Sequence, residues 1–436
     1  MTRSRTDWTP DAAGEEGTLY ARDAAAIAVS EHLRFFPLEV DSASGSVLRT
    51  PAGRELIDLS AGWGAAAVGY AHPQVAEAVA AEAARMPGVG VLSAANPTST
   101  RLAERLLESV PLGGSLGPCA VHLGLTGSDA NSAALRAVRA WSDRPGILVF
   151  ENSYHGGLGP AQHASGFYAA DGVPLDGGVE QVPYGDAAAA VAALETERFA
   201  AVVVEPIMAD GGLIIPPSDF LPALREACDR TGTLLMVDEV KVGMGRTGSL
   251  LASGCDGVVA DVVTLGKGLG GGMPLSAAIA PREVWAAAPG ASLLTLAGNP
   301  VCAAAGLAVL DVVAAQRLPE QAAHLGQELS TALAALARRC ALVHDVRSRG
   351  IVAGIELRRP DGSAAGPETA AAVHRAFELG AVAYPVGPES NIIELTPALT
   401  ISRDQLLRGV EILGEAVADV DAGRVDLQAA AEFGGW

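Results

Sequence analysis

Short apolar runs alternate with helical stretches over most of the chain. Helical spacing of apolar residues predicts helices at 74–86, 98–109, 129–141 and 219–231. Apolar runs of strand length predict strands at 120–125, 146–150, 200–204, 234–237, 262–265 and 277–280. Helices that alternate with buried strands are typical of βα units. The pattern therefore predicts an α/β domain with a mostly parallel central sheet.

The pattern changes after Asn299-Pro300. Helices are predicted at 301–315, 319–339, 366–379 and 403–420, and strands at 343–346, 352–357 and 392–395. This mixture predicts a smaller α+β domain at 319–436, which follows a large domain at 66–318.

The first 65 residues form a separate N-terminal segment in this division, assigned to the small lobe. A helical pattern runs from residue 19 to near Phe36-Pro37, and short strands are predicted at 47–48 and 56–57. Residues 1–18 and 421–436 are interpreted as tails.

Composition narrows the class of protein. The chain has 436 residues, 49% of them hydrophobic and 18% charged, as in globular proteins. The net charge of −20 argues against nucleic-acid binding, which needs a basic face. It is compatible with a cationic substrate, although solubility alone explains it as well.

The five cysteines include no Cys-x-x-Cys pair, so neither a disulfide framework nor a metal site is predicted. No apolar stretch reaches about 18 residues, the length that a membrane span needs. We expect a cytoplasmic protein.

Only two of the 30 basic residues are lysines, Lys241 and Lys267. A GC-rich genome explains the excess of arginine but not why two lysines remain. Arginine cannot lose its proton at ordinary pH, whereas lysine can act as a carbonyl nucleophile or a proton shuttle. The two lysines are therefore candidates for chemistry.

Three segments at predicted strand ends carry candidate site residues. Gly127 and Ser128 open a helix and could bind phosphate, although Ser128 could equally be a plain helix cap. Asp238 ends a buried strand and could hold a protonated ring nitrogen, or form an ion pair with Arg246 or Lys241.

Lys267 lies among five glycines, which leave room for a bulky group beside its amine. A phosphate-binding glycine loop is the competing interpretation, but the order of a P-loop is missing. Pyridoxal phosphate needs a lysine, a carboxylate, a phosphate site and an aromatic face. Lys267, Asp238 and Gly127–Ser128 supply the first three, and Tyr154 offers the fourth.

Seven motifs in order make the chain resemble the class III aminotransferases, which are pyridoxal phosphate enzymes of fold type I. The resemblance extends from about residue 30 to 415. The motifs are Gly-Tyr-Ala-His-Pro at 69–73, Thr-Gly-Ser-Asp-Ala at 126–130, Tyr-His-Gly at 154–156, Glu-Pro-Ile at 205–207, Asp-Glu-Val at 238–240 with Gly-Arg-Thr-Gly at 245–248, Gly-Lys-Gly at 266–268 and Gly-Asn-Pro at 298–300.

The resemblance implies a role for each matching residue. Lys267 would bind the cofactor as a Schiff base and move the substrate proton, and Asp238 would hold the pyridinium. Val240 and Tyr154 would pack on the two ring faces. Gly127 and Ser128 would bind the phosphate.

The same resemblance implies a homodimer with shared sites, because Thr295 would reach the phosphate in the neighbouring subunit. Glu205 would lie near the cofactor hydroxyl. Lys241 stands where the family has glutamine and would lie near the phenolic oxygen. Trp63 falls in the N-terminal segment that lines the entrance, where it could stack on a sugar ring or simply pack.

The chain departs from the family at the arginines that bind substrate carboxylates. One arginine position is Gly157, and the other is Glu394, which reverses the charge. Asp210 adds a second acid to the expected pocket. Two alternatives would remove the reason to expect a cationic substrate: an arginine elsewhere that binds the substrate carboxylate, or a Glu394 that faces solvent or pairs with an unrelated arginine.

We therefore expect an aminotransferase for an amino-sugar or polycationic amine, as in aminoglycoside antibiotic biosynthesis. The alternatives are an ω-amino acid aminotransferase of the ornithine or 4-aminobutyrate type that uses 2-oxoglutarate, and an amino-acid epimerase on the same fold. A cofactor-binding scaffold without turnover is the non-enzyme alternative, and the intact Lys267 and Asp238 argue against it.

Overall fold

The computed structural model describes residues 17–113, 116–167 and 177–431. Nearly all of the predicted tail at 1–18 lies outside these ranges, as do residues 432–436. The strands are β1 (Ser42–Ser44), β2 (Val47–Arg49), β3 (Glu55–Asp58), β4 (Cys119–Gly124), β5 (Gly146–Phe150), β6 (Val179–Val182), β7 (Phe199–Val204), β8 (Leu234–Asp238), β9 (Val262–Leu265), β10 (Ser276–Pro281), β11 (Val343–Arg349), β12 (Val352–Leu357), β13 (Ala381–Val382), β14 (Tyr384–Val386) and β15 (Ile392–Leu395).

The described ranges also contain α-helices. They are α1 (Leu19–Ala26), α2 (Pro73–Arg85), α3 (Pro97–Ser109), α4 (Gly127–Trp141), α5 (Gly159–His163), α6 (Ala187–Leu194), α7 (Phe220–Thr231), α8 (Arg282–Ala286), α9 (Pro300–Ala315), α10 (Leu318–Ala337), α11 (Gly366–Leu379), α12 (Arg403–Asp421) and α13 (Leu427–Ala431).

The large sheet has seven strands in the order β4-β10-β9-β8-β7-β5-β6. Only β10 is reversed, because it pairs antiparallel with both β4 and β9. The remaining pairings are parallel, so the predicted α/β fold with a mostly parallel sheet is confirmed. Strands β5, β7, β8 and β9 are buried along their whole length, which explains their continuous apolar runs.

The parallel topology brings five candidate segments to one edge of the sheet. The carboxyl ends of β4, β5, β7, β8 and β9 lead directly into the segments of Gly127, Tyr154, Glu205, Asp238 and Lys267. Ligands of open α/β sheets bind at this edge.

Two smaller four-stranded sheets have the orders β1-β2-β3-β13 and β11-β12-β15-β14. In the first, β3 pairs parallel with β13, so the N-terminal strands share a sheet with the C-terminal part of the chain. In the second, β15 carries Glu394 in the middle of its pairing with β12. The exact domain boundaries at 65 and 318 stay predictions.

The long N-terminal helix was a wrong prediction. Helix α1 ends at Ala26, and Ile27 is extended with φ of −99° and ψ of 135°. The apolar residues beyond it pack individually, since Phe36 stacks on Phe377 with ring centroids 4.8 Å apart. The tail predicted from residue 421 is also wrong in part, because α13 forms there and buries Ala430.

Among the described residues, no single helix is long and apolar enough to cross a membrane. The bent pair α9–α10 passes that length and composition test only when its two helices are taken together.

Candidate active site

Lys267 stands at the start of a short 3₁₀ turn immediately after β9. Its φ is +41°, a left-handed conformation that is strained for any residue with a Cβ. Its side chain is 25% exposed, and its Nζ lies 3.9 Å from Asp210 Oδ2. Burial and the nearby Lys241 ammonium lower the pKa of Lys267. The turn thus presents a partly accessible amine that loses its proton more readily than an ordinary lysine.

Asp238 ends β8 and is held by three hydrogen bonds. Its Oδ2 accepts from Asn131 Nδ2 at 2.8 Å and pairs with His155 Nδ1 at 2.9 Å, and its Oδ1 accepts from the Val240 amide at 3.0 Å. Burial lowers the pKa of His155, but the bond to Asp238 and its charge outweigh burial and raise it. The predicted ion pairs of Asp238 with Arg246 or Lys241 are wrong, because both cations bind other groups.

Helix α4 begins at Gly127 with a capping box formed by Thr126 and Asp129. The cap is therefore Thr126, not Ser128 as the plain-cap alternative had it. The amides of Gly127 and Ser128 donate no hydrogen bond within the described part of the chain. Two free N–H groups at the positive end of a 15-residue helix can bind a phosphate.

Val240 packs directly against this helix start. A Cβ at Gly127 would lie 2.6 Å from Val240 Cγ1, and one at Gly266 would lie 3.2 Å from the same atom. Glycine at both positions is thus what allows Val240, the N-terminus of α4 and the Lys267 turn to meet.

Tyr154 follows β5, and its amide donates to Glu205 Oε1 at 3.0 Å. Its ring meets Phe167 edge to face, with centroids 6.0 Å apart. Glu205 also accepts from the Ala209 amide at 3.3 Å. Burial raises the pKa of Glu205 to about 7. Glu205 therefore anchors the loop that carries Tyr154.

Lys241 lies between two buried acids, Asp210 and Glu394, which we call the acidic pair. Its Nζ is 2.9 Å from an oxygen of each. Burial lowers the pKa of Lys241, but the two carboxylates outweigh burial and raise it. Lys241 is therefore held as an ammonium, and Glu394 neither faces solvent nor pairs with an arginine, as the alternative for it required.

Trp63 lies in a left-handed turn and forms one wall of this cluster. The Lys241 ammonium sits 5.1 Å from the centre of its ring, within cation–π range. The opposite neighbour is Tyr384, whose ring stacks on Trp63 at 4.5 Å and 7°. Arg246 is buried and donates to Gly64 O at 2.8 Å and Thr396 O at 2.9 Å, which ties the Trp63 turn to the end of β15.

Thr295 is not brought to this cluster within one chain. It lies exposed in the loop before α9, where its carbonyl approaches Gly90. Its predicted role in the neighbouring subunit's site stays a prediction.

The donor set at the sheet edge fits pyridoxal phosphate. Lys267 supplies the primary amine, and Asp238 supplies a buried carboxylate with fixed orientation. The free amides of Gly127 and Ser128 supply the phosphate site.

Three side chains that shape the site were not predicted: Asn131 and His155, which orient Asp238, and Tyr384, which supports Trp63. His155 was visible as part of the Tyr-His-Gly motif. Asn131 and His155 lie 107 and 83 residues from Asp238 in the chain, so only the fold reveals the contacts.

Comparison with known proteins adds findings of three kinds: a family model, similar sequences and a similar solved structure. The family model described as aminotransferase class-III matches residues 28–417. The acetylornithine aminotransferase of Mycolicibacterium smegmatis is 38% identical over 85% of this chain and 91% of its own. The alanine/serine racemase of Pyrococcus horikoshii is 29% identical over 94% and 91%.

The third finding concerns solved structures. The ornithine aminotransferase of Toxoplasma gondii superposes with a TM-score of 0.84 at 25% identity, covering 93% of this chain and 95% of that one.

Proposed function

Because the chain belongs to the class III aminotransferase family, whose members use pyridoxal phosphate, we propose that it transfers the amino group of a terminal primary amine. The names of its relatives support this amine class, since acetylornithine and ornithine aminotransferases are among them. The observation that carries the proposal is the position of the Lys267 amine. It lies close to Asp210, at the same edge of the sheet as Asp238 and the N-terminus of α4.

Bound pyridoxal phosphate supplies an aldehyde that condenses with amines and a ring that draws electrons from the substrate carbon. Asp238 would hold the cofactor's ring nitrogen in its protonated form, because a buried carboxylate favours a positive charge beside it. Asn131 and His155 fix the carboxylate so that it cannot turn away.

Lys267 moves the substrate proton. Its lowered pKa makes the free amine more available as a base. Across both half-reactions, R–CH₂–NH₂ and R′–CHO become R–CHO and R′–CH₂–NH₂. Protons and electrons balance without an added oxidant.

An amino-sugar or polycationic amine is a second candidate substrate. The observation that favours it is the acidic pair, which lies where a carboxylate-binding arginine would be expected. Epimerisation is a third candidate, supported by the similarity to the Pyrococcus horikoshii racemase. An epimerase would exchange the α-hydrogen with solvent without releasing a carbonyl product.

We also propose that the enzyme is a homodimer whose sites are completed by Thr295 of the second copy. Exposed apolar side chains surround Thr295. We call residues 89–92 and 293–296 the apolar rim, in which Leu293 is 64% and Leu296 is 51% exposed. Monomeric proteins rarely expose contiguous apolar surface of this kind.

The first experiment follows one half-reaction without any acceptor. The cofactor-loaded protein is mixed with ornithine, acetylornithine, 4-aminobutyrate, glutamate, alanine or an aminoglycoside, and loss of the visible cofactor absorbance is recorded. We expect rapid loss with at least one of the terminal amines. Loss with alanine and glutamate alone would contradict the proposal, and hydrogen exchange in ²H₂O without loss would favour an epimerase.

A further inference from the structure

The acidic pair contains an acceptor atom without a partner. Glu394 is 2% exposed, and its Oε2 binds Lys241. Its Oε1 is buried and accepts no hydrogen bond from any residue in the described ranges. A buried carboxylate oxygen without a hydrogen-bond donor costs free energy, so a bound molecule that donates a hydrogen bond there would be favoured.

The charge around that atom is negative. Asp210 and Glu394 bring two carboxylates, and Lys241 brings one ammonium. The only other cation that contacts the pair in the described chain is Lys267, at 3.9 Å from Asp210. Its nitrogen is the one that the reaction uses, so it cannot also neutralise the pair. The charge of Arg246 also interacts with Glu394, but its guanidinium is occupied by backbone carbonyls. A substrate next to Lys267 therefore meets two carboxylates and no unoccupied cation of the described chain.

Lys241 has no capacity left for a substrate carboxylate. Two of its contacts are to the acidic pair, and its ammonium lies over the Trp63 ring. Arg246 donates to backbone carbonyls of residues 64, 396 and 397. Arg347 donates to the carbonyls of residues 212 and 213 and pairs with Asp345 and Glu356. Neither guanidinium replaces the missing clamp.

We propose that Glu394 and Asp210 select, in both half-reactions, substrates whose reacting carbon carries no carboxylate and whose adjacent group donates a hydrogen bond to Glu394 Oε1. The donor group is an ammonium or a hydroxyl. Donor and acceptor use the same amine, Lys267, so both meet the pair. The amino acceptor is therefore a hydroxylated or aminated aldehyde or ketone, not an α-keto acid such as 2-oxoglutarate. This inference rests on the proposed aminotransferase function and adds the class of both substrates.

The test uses pairs of molecules that differ only in the group beside the reacting carbon. The amines are ethanolamine and glycine, and the carbonyl compounds are glycolaldehyde and glyoxylate. Each half-reaction is followed in the holoenzyme by stopped-flow absorbance. We expect ethanolamine and glycolaldehyde to react at least ten times faster, in kcat/KM terms, than their carboxylate counterparts. Equal or faster reaction of glycine and glyoxylate would overturn the inference.

Variants assign the preference to these residues. Glu394→Gln removes the charge with little change of shape, and the double variant Lys241→Gln/Glu394→Arg replaces both residues while keeping Asp210 paired. Both are expected to reduce the ratio of ethanolamine to glycine kcat/KM at least tenfold, and the double variant more. Glu239→Gln is the matched control, because Glu239 is equally buried but binds Ala252 and Ser253. A ratio that follows Glu239 or ignores Glu394 contradicts the inference.

Binding of unreactive ligands separates this inference from the proposed function. Triethanolamine is cationic and hydroxylated, and glutarate is a dicarboxylate; neither can react with the cofactor. Calorimetry on the holoenzyme should detect triethanolamine at least tenfold tighter than glutarate, with the order reversed in the double variant. If no amine changes the cofactor absorbance, the proposed function fails, and these binding constants still decide the role of the acidic pair. Tighter glutarate binding in the wild type would refute that role.

Discussion

Lys241 and Lys267, the two lysines of the chain, both lie near Asp210, and their pKa values are shifted in opposite directions. The carboxylates around Lys241 raise its pKa, whereas burial and the charge of Lys241 lower the pKa of Lys267. A fixed ammonium beside a weakened one is a means of keeping one amine nucleophilic in a buried site. The structure thus shows that the two lysines have different environments, one that stabilises the ammonium and one that favours the free amine.

Replacement of each lysine tests this separation. Lys267→Ala should abolish the visible absorbance that the cofactor has when linked to lysine, and reduce kcat by at least about 1,000-fold. Lys241→Gln should retain that absorbance and shift its pH dependence, because the Lys267 amine loses a neighbouring positive charge. Absorbance spectra recorded from pH 6 to 10 provide the measurement. Loss of the lysine-linked band in Lys241→Gln alone would reverse the assignment.

At the scale of elements, the catalytic edge depends on the turns that follow the buried strands. Asp238 ends β8 and Glu239 follows it, and their side chains bind different partners. Glu239 accepts from the Ala252 amide and from the Ser253 amide and hydroxyl, each at 2.8 Å. Burial nevertheless raises the pKa of Glu239 to about 7. The turn that follows β8 is therefore held by a group that titrates near neutral pH.

The raised pKa of Glu239 makes stability depend on pH. Below the ordinary value of 4.5 both folded and unfolded states hold the proton, and between 4.5 and about 7 only the folded state does. Stability from this group therefore falls as pH rises, by about 1.4 kcal/mol per unit. Glu239→Gln should be less stable than the wild type, with a deficit that shrinks from pH 4.5 to 7 in urea unfolding. A deficit that stays constant from pH 4.5 to 7 would mean that Glu239 is ionised in the folded state throughout this range.

Many elements were predictable because their apolar residues repeat with the period of the element. The strand at 146–150 and the helix at 366–379 were predicted with the bounds that the structure has. Strand β6 was not predicted. It is an exposed edge strand whose residues do not alternate between buried and exposed, so no strand pattern marks it. The site residues in motifs were placed at the expected edge, whereas the partners of Asp238 and Trp63 depend on contacts between distant segments, which no local pattern encodes.

At the scale of the whole molecule, the apolar rim groups several exposed apolar side chains in one place. Its two segments are joined, since the Val91 amide donates to Ala297 O at 3.4 Å and Gly298 packs under Val91. Thr295 stands within the second segment. If the proposed dimer forms at the rim, the Thr295 hydroxyl, which we predict to bind the phosphate, would reach the site of the other copy, so assembly and activity should be lost together.

Leu296→Glu tests the rim. A charge in a buried apolar interface is strongly unfavourable, so the variant should become monomeric in light scattering and lose most of its activity. Leu427→Glu is the control, because Leu427 is also exposed and apolar but lies on α13. A dimeric, active Leu296→Glu protein would show that the rim is not the interface.

The left-handed backbone conformation of Lys267 lowers the stability of the fold at a residue that the reaction needs. A side chain at φ of +41° costs about 1 kcal/mol relative to glycine, and the neighbouring positions in the sequence are already glycine. Glycine at position 267 would therefore relax the turn while removing the reactive amine. Any screen that rewards heat resistance alone would favour the inactive residue here. Thermostable variants of this enzyme should be selected with turnover as a simultaneous requirement.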